Sequence, residues 1–241
     1  ERPRAISPYQ VASPAVGEDT LVVALQAAEQ AYELDRFDQV PINHPLPQRR
    51  LVALDRQSGA LRWQQERPEL GPRAFQNQFD AHGPPVLQGG LVYVAGSVTE
   101  GAINAYVAAF DLADGELVWR TPLCSGQQEL TMFNRPFQEH LVSPVLLHEG
   151  SLYVSTNLGV IGCVDAFSGR LRWLAAYESI ERRSSRMVRP MNARPIHWLN
   201  QPPFVVDGTL VVSPLDSEWL QGLDVHTGRR RFEIPTATGN T

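Results

Sequence analysis

One phrase of the chain occurs four times: ALDRQSGALRW from Ala53 to Trp63, AFDLADGELVW from Ala109 to Trp119, CVDAFSGRLRW from Cys163 to Trp173, and GLDVHTGRRRF from Gly222 to Phe232. Each copy holds a small residue, an Asp two places later, a Gly four after that, and an aromatic four further on. A second block precedes each copy, beginning at Pro14, Pro85, Pro144 and Pro203 and running into EDTLVVAL, GGLVYVAG, EGSLYVST and DGTLVVSP. Two aligned blocks in four copies mean that the chain is built from like units. A unit of this size cannot bury its apolar face alone, so neighbours must stack.

Each unit reads as four short strands. The Pro-led strand meets a tight turn carrying Gly17, Gly89, Gly150 or Gly208, and a β-branched second strand follows. The third strand ends at Asp55, Asp111, Asp165 or Asp224, where a carboxylate can cap the amides of the next turn. Gly59, Gly115, Gly169 or Gly228 then supplies a positive φ, and the fourth strand carries the aromatic. No sustained 3.6-residue period interrupts this, apart from a short helical reading around Leu25 to Asp35. The expectation is an all-β propeller of four four-stranded antiparallel blades in a single domain, 1–241. The blades fall at approximately 11–67, 82–123, 141–177 and 200–236.

The phrase resembles the AxDxxTGxxxW signature of pyrroloquinoline-quinone-repeat propellers, over nearly the whole chain. Ser58, Asp114 and Ser168 replace its Thr, which survives as Thr227; Gly222 stands where Ala is usual, and Phe232 where Trp is. The resemblance implies that Trp63, Trp119, Trp173 and Phe232 dock between blades, the last less tightly. It also implies a ring of more than four blades, commonly eight. The chain is therefore expected to be part of a larger propeller whose remaining blades belong to the same full-length chain; a closed four-blade ring is the alternative. Proteins of this type are commonly periplasmic or otherwise extracytoplasmic, and bacterial.

Strand direction divides the turns between two ends. The links between second and third strands, and those between blades, emerge together; the other turns emerge opposite and are minimal. All the extra length lies on the first end: Gln26 to Gln48, Gln64 to Gly83, Arg120 to Ser143 and Leu174 to Pro202. Long links gathered at one end of a rigid scaffold are where binding residues collect. They mix directional polar groups with apolar ones, as a small-ligand or peptide site requires. The candidate binding face is Phe75, Asn77, Gln127, Asn134, Arg135, Arg189, Asn192, Arg194, His197 and Trp198. Against this stands the reading that Phe75, Phe79, Phe133, Phe137 and Trp198 merely pin the links down. Arg182, Arg183, Arg186, Arg189 and Arg194 suit a carboxylate or phosphate, or else pair with Asp80, Glu129 and Glu139. The run Arg229 to Arg231 reads as charge that keeps an outer edge strand from pairing.

Charge and composition narrow the partners. The formal net charge is -5, which argues against nucleic acid. No apolar run is long enough to span a bilayer. The chain has no Lys, which removes Schiff-base chemistry. Cys124 and Cys163 read as buried free thiols, with a disulfide as the alternative. None of the six histidines has metal-ligand spacing, and His148 and His226 fall in blade turns. The repeated Asp residues are turn-formers.

Two functions follow. The first is a non-catalytic scaffold that binds a protein partner or a small anionic ligand through its loop-rich end, with no cofactor. The nearest functional comparison within the family is its outer-membrane assembly member. The second is part of a quinoprotein dehydrogenase-like enzyme using pyrroloquinoline quinone with calcium. Active enzymes of that type carry an adjacent Cys pair and a Glu, Asn and Asp set around calcium, neither of which can be matched here. A purely structural module is a third reading.

Overall fold

The structure, a computed structural model, describes residues 13–26, 49–65, 79–127, 140–179 and 200–235. Every element among them is a strand. Blade one is β1 (Ala15–Val16), β2 (Thr20–Gln26), β3 (Arg49–Asp55) and β4 (Leu61–Gln64). Blade two is β5 (Asp80–Gln88), β6 (Leu91–Glu100), β7 (Ala102–Asp111) and β8 (Leu117–Gln127). Blade three is β9 (Leu146–His148), β10 (Ser151–Ser155), β11 (Val160–Asp165) and β12 (Leu171–Ala176). Blade four is β13 (Phe204–Val206), β14 (Thr209–Val212), β15 (Trp219–Asp224) and β16 (Arg230–Pro235). Each blade is one antiparallel sheet whose strands lie in chain order.

Turn chemistry explains this regularity. The hairpins before β6, β10 and β14 turn on Gly89-Gly90, Glu149-Gly150 and Asp207-Gly208, all with φ between 46° and 78°. Two consecutive left-handed residues make the turn whose twist matches antiparallel strands. At the turn before the fourth strand, Asp55 Oδ1 accepts from the Ser58 amide at 2.8 Å and the Ser58 hydroxyl at 2.7 Å. Asp165 with Ser168, and Asp224 with Thr227, repeat the arrangement.

Three apolar seams join the blades. Val22, Leu51 and Trp63 of blade one pack on Val92, Val94 and Phe110 of blade two. Tyr93, Ala105 and Val107 then meet Leu152, Val154 and Val164. Tyr153, Ile161 and Cys163 meet Leu210, Val212 and Leu223. The blade tryptophans lock these seams. Trp63 lies on Gly115, Trp119 on Gly169 and Trp173 on Gly228, each ring within 2.6 Å of where a Cβ would stand. Trp63 Nε1 donates to the Leu112 carbonyl at 2.9 Å and Trp173 Nε1 to that of Val225 at 3.2 Å. Phe232 lies instead over Gly222 of its own blade and is 38% exposed.

Several expectations change. Blade two extends beyond 82–123 to Asp80–Gln127, because β6, β7 and β8 are the longest strands and pair almost to their tips. The expected links Gln64 to Gly83 and Arg120 to Ser143 are therefore partly strand. Leu25 and Gln26 end β2 rather than starting a helix; the rest of that helical reading lies outside the described residues. The cysteines are free thiols as expected, Cys163 buried but Cys124 only half-buried. Arg231 lies on the exposed edge strand β16 and has a second part as well: it pairs with Asp224 at 2.5 Å and donates to Thr209 at 2.8 Å. Arg62 and Arg172 hold Asp55 and Asp165 in the same way, at 2.8 and 2.6 Å.

Candidate functional site

The strand ends on the loop-bearing side carry a continuous polar chain through all four blades. It starts where β3 emerges. The Arg49 amide donates to Asp80 Oδ1 at 2.6 Å, and the Arg49 guanidinium stands 3.8 Å from Asp80 Oδ2. Asp80 begins β5, and the alternation of that strand turns His82 inward to full burial. His82 Nε2 lies 3.2 Å from Asp80 Oδ2. His82 Nδ1 is 2.8 Å from the Val142 amide, which can only donate. The amide thus assigns the neutral tautomer with the proton on Nε2, directed at Asp80.

The Val142 peptide passes the chain onward. Its carbonyl accepts from Asn200 Nδ2 at 3.0 Å, and Asn200 Oδ1 accepts from Asn157 Nδ2 at 3.4 Å. Asn157 closes the β10–β11 turn with φ 55°, a conformation Asn tolerates better than most residues. It also donates to the Leu141 carbonyl at 2.6 Å and accepts from the Leu215 amide of blade four at 2.9 Å. Beside it, Asp216 accepts from the Tyr177 hydroxyl at 2.5 Å and the Gly159 amide at 3.2 Å. Burial first, then the Asp216 charge, pushes the Tyr177 hydroxyl well above its ordinary range. Hydrogen bonds of this kind, satisfied and out of water, fix a unique geometry. Blade registration at this end is polar, whereas within the seams it is apolar.

Of the expected binding face, only Gln127 falls among the described residues; it is exposed, at the tip of β8 opposite Ala102. Phe75, Asn77, Asn134, Arg135, Arg189, Asn192, Arg194, His197 and Trp198 lie outside them, as do Phe133, Phe137 and the arginines from Arg182 to Arg194. Phe79 is buried, its ring 6.0 Å from that of Phe110, so it fastens the first inter-blade link to the seam. Asp80 is held by Arg49 and His82. Sequence reasoning missed Arg49, His82, Asn157, Asn200, Asp216 and Tyr177. None is repeated from blade to blade, and only their position at strand ends of one side marked them.

The opposite end carries the Asp–Arg latches. The Asp55, Asp165 and Asp224 carboxyls lie well below the usual carboxylate range, first through the hydrogen bond from Arg62, Arg172 or Arg231. Blade two lacks the latch: Leu91 stands where the others have Thr20, Ser151 or Thr209, and Val118 where they have Arg. Val118 is 51% exposed and Phe167, in the next blade's turn, 88%. Among the described residues no three of His, Cys, Asp and Glu stand together as metal ligands, and no helix is long and apolar enough to cross a membrane.

Four stacked four-stranded sheets with aromatic-on-glycine seams define a β-propeller. The family described as outer membrane protein assembly factor BamB matches residues 7–106 and 103–240, and the chain belongs to this family of pyrroloquinoline-quinone-like-repeat propellers. No curated protein matches significantly. Among solved structures, a europium-containing methanol dehydrogenase is 14% identical with a TM-score of 0.51, over 92% of this chain and 41% of its own. A chain of a mitotic checkpoint complex is 10% identical with a TM-score of 0.52, over 98% of this chain and 54% of its own. BamB from Moraxella catarrhalis is 15% identical with a TM-score of 0.39, over 92% of this chain and 60% of its own. The chain thus spans at most about three-fifths of these structures, and the likeness to the first two shows its fold alone.

Proposed function

We propose that this chain is a non-catalytic propeller scaffold that holds a partner through its loop-bearing end, in an extracytoplasmic compartment and in the assembly of outer membrane proteins. The observation that carries this reading is the polar chain from Arg49 to Asp216, which fixes the strand ends of all four blades relative to one another. A platform so registered holds its strand ends in one geometry, and preorganisation lowers the entropy lost on binding. The family description supports the assembly role and the compartment. In this reading the partner is a protein segment, with a small anionic ligand as the lesser alternative, and no cofactor is used.

Photo-crosslinking from Gln127 at the loop-bearing end, compared with Phe167 at the opposite end, tests the proposal. Adducts with a discrete protein from Gln127 alone are expected. Adducts from Phe167 alone would move the partner to the other end and sink the reading. The dehydrogenase-like alternative has its own readout: saturable, calcium-dependent quenching of tryptophan fluorescence by pyrroloquinoline quinone would replace the scaffold reading with it.

A further inference from the structure

Three residues before the Pro that leads the first strand, blades two, three and four carry His82, Leu141 and Asn200. His82 and Asn200 grip one peptide from its two sides. The Val142 amide donates to His82 Nδ1 at 2.8 Å, and the Val142 carbonyl accepts from Asn200 Nδ2 at 3.0 Å. One position of the repeat thus holds the same peptide twice, once with an imidazole, the side chain that changes charge near neutrality, and once with an amide that does not titrate.

The joint is closed to water, with His82 and Val142 both fully buried. Beside it, a Cβ on Gly83 would stand 2.6 Å from the Pro144 ring, so the backbones of blades two and three meet in close contact there. A backbone amide can only donate, and His82 Nδ1 must therefore offer its lone pair. Nε2 already carries a proton towards Asp80, so a second proton on the ring goes to Nδ1. Two donors would then face each other across 2.8 Å, leaving the buried amide without a partner. The charged ring and this hydrogen bond exclude each other.

The groups around the ring act in different directions. On its own strand Asp80, 3.2 Å from Nε2, draws a proton in. From β3, Arg49 competes for that carboxylate, its guanidinium at 3.8 Å and its amide at 2.6 Å. Across the sheet on β6, the partners of Asp80 and His82 are Ser97 and Ala95, which do not titrate. On the blade-three side, His140 turns Nε2 to the Thr156 carbonyl at 2.9 Å, and that nitrogen keeps its proton in either charge state.

We infer that His82 is an acid-sensitive joint between blades two and three. A second proton on Nδ1 ejects the Val142 amide and releases the leading segment of blade three, and with it Asn200, from blade two at the loop-bearing end. Local opening admits the proton from solvent, and the joint re-forms when the pH rises. Asp80 supplies the pull and the amide the resistance. This control of blade registration is independent of what the loop-bearing end binds.

Nuclear magnetic resonance on the isotope-labelled full chain tests the inference. The variant is His82→Asn, which retains an acceptor, does not titrate and is the residue blade four uses at this position. Between about pH 8 and about pH 5, the exchange protection of the Val142 amide should fall at least about tenfold relative to Val154 in the seam, as the His82 ring goes from singly to doubly protonated. In His82→Asn the protection of Val142 should stay constant over the same range. A ring that remains neutral down to about pH 5 would overturn the inference. So would a ring that takes its second proton with Val142 still protected. Both are read on the unaltered chain, so they decide the matter even where the variant does not fold. A loss of protection that persists in His82→Asn would assign the trigger to another group and sink it equally.

Discussion

The four motif glycines offer a matched experiment on the seams. Gly59, Gly115, Gly169 and Gly228 share one backbone conformation, with φ between 70° and 75°. Replacing any of them by Ala places an L-residue in the left-handed region, at about 1–2 kcal/mol. At Gly59 no described residue stands within 4 Å of a new Cβ, so backbone strain is the whole of the expected cost. At Gly169 the Cβ would stand 2.6 Å from Trp119, and at Gly228 2.6 Å from Trp173, so a ring must leave its seat. Overpacking of that kind adds roughly 1–3 kcal/mol. Gly59→Ala is thus expected to lose ~1–2 kcal/mol, and Gly169→Ala and Gly228→Ala ~2–5 kcal/mol. Equilibrium urea unfolding, followed by tryptophan fluorescence, reads the difference. If Gly59→Ala proves as damaging as Gly169→Ala, backbone strain alone explains the glycines and the aromatic-on-glycine account of the seams is wrong.

Three further outcomes are expected. His82→Leu should destabilise by about 2–5 kcal/mol, because it orphans the Val142 amide and leaves Asp80 with one partner fewer, whereas His226→Ala in an exposed turn should stay within about 0.5 kcal/mol; equal effects in urea unfolding would break the claim that the polar chain registers the blades. Asp55, Asp165 and Asp224 have folded-state pKa values held below those of the unfolded chain, so their stabilisation is complete above the unfolded value near ~3.9 and is lost as pH falls through the folded values. Melting temperature should drop on acidification over that window, and less steeply in Asp165→Asn; an unchanged profile would show that the Arg172 latch contributes nothing. Burial pushes the Cys163 thiol up to about 11, so it should resist alkylation at neutral pH until the chain is unfolded, and rapid native labelling would contradict the third seam.

The architecture was legible because it is repeated. Ala53, Asp55, Gly59 and Trp63 each have three counterparts, and four copies of one spacing outweigh the ambiguity of any single short strand. Where the copies differ, reading was harder. The arginine at 62, 172 and 231 is part of the repeat, but blade two breaks it with Val118, and in blade four it hides inside Arg229 to Arg231. Its function as a latch emerges only when the turn brings it back on the Asp seven residues earlier. The blade-two boundary failed for a different reason. Residues 120–127 carry Thr121, Pro122 and Gly126, which read as a link; their strand character comes from pairing with β7, a tertiary effect no local pattern records.

The same distinction governs the candidate site. A polar residue at a strand end becomes part of a network only through what lies across the seam. His82 faces Val142 sixty positions on, and Asn157 faces Leu215 fifty-eight on. Nothing in the neighbourhood of either residue along the chain marks such a partner. Repetition therefore identifies the parts that stack, and unrepeated residues identify where the stack is particular to this chain. Phe232, Gly222 and Arg56 are unrepeated but sit at repeat positions.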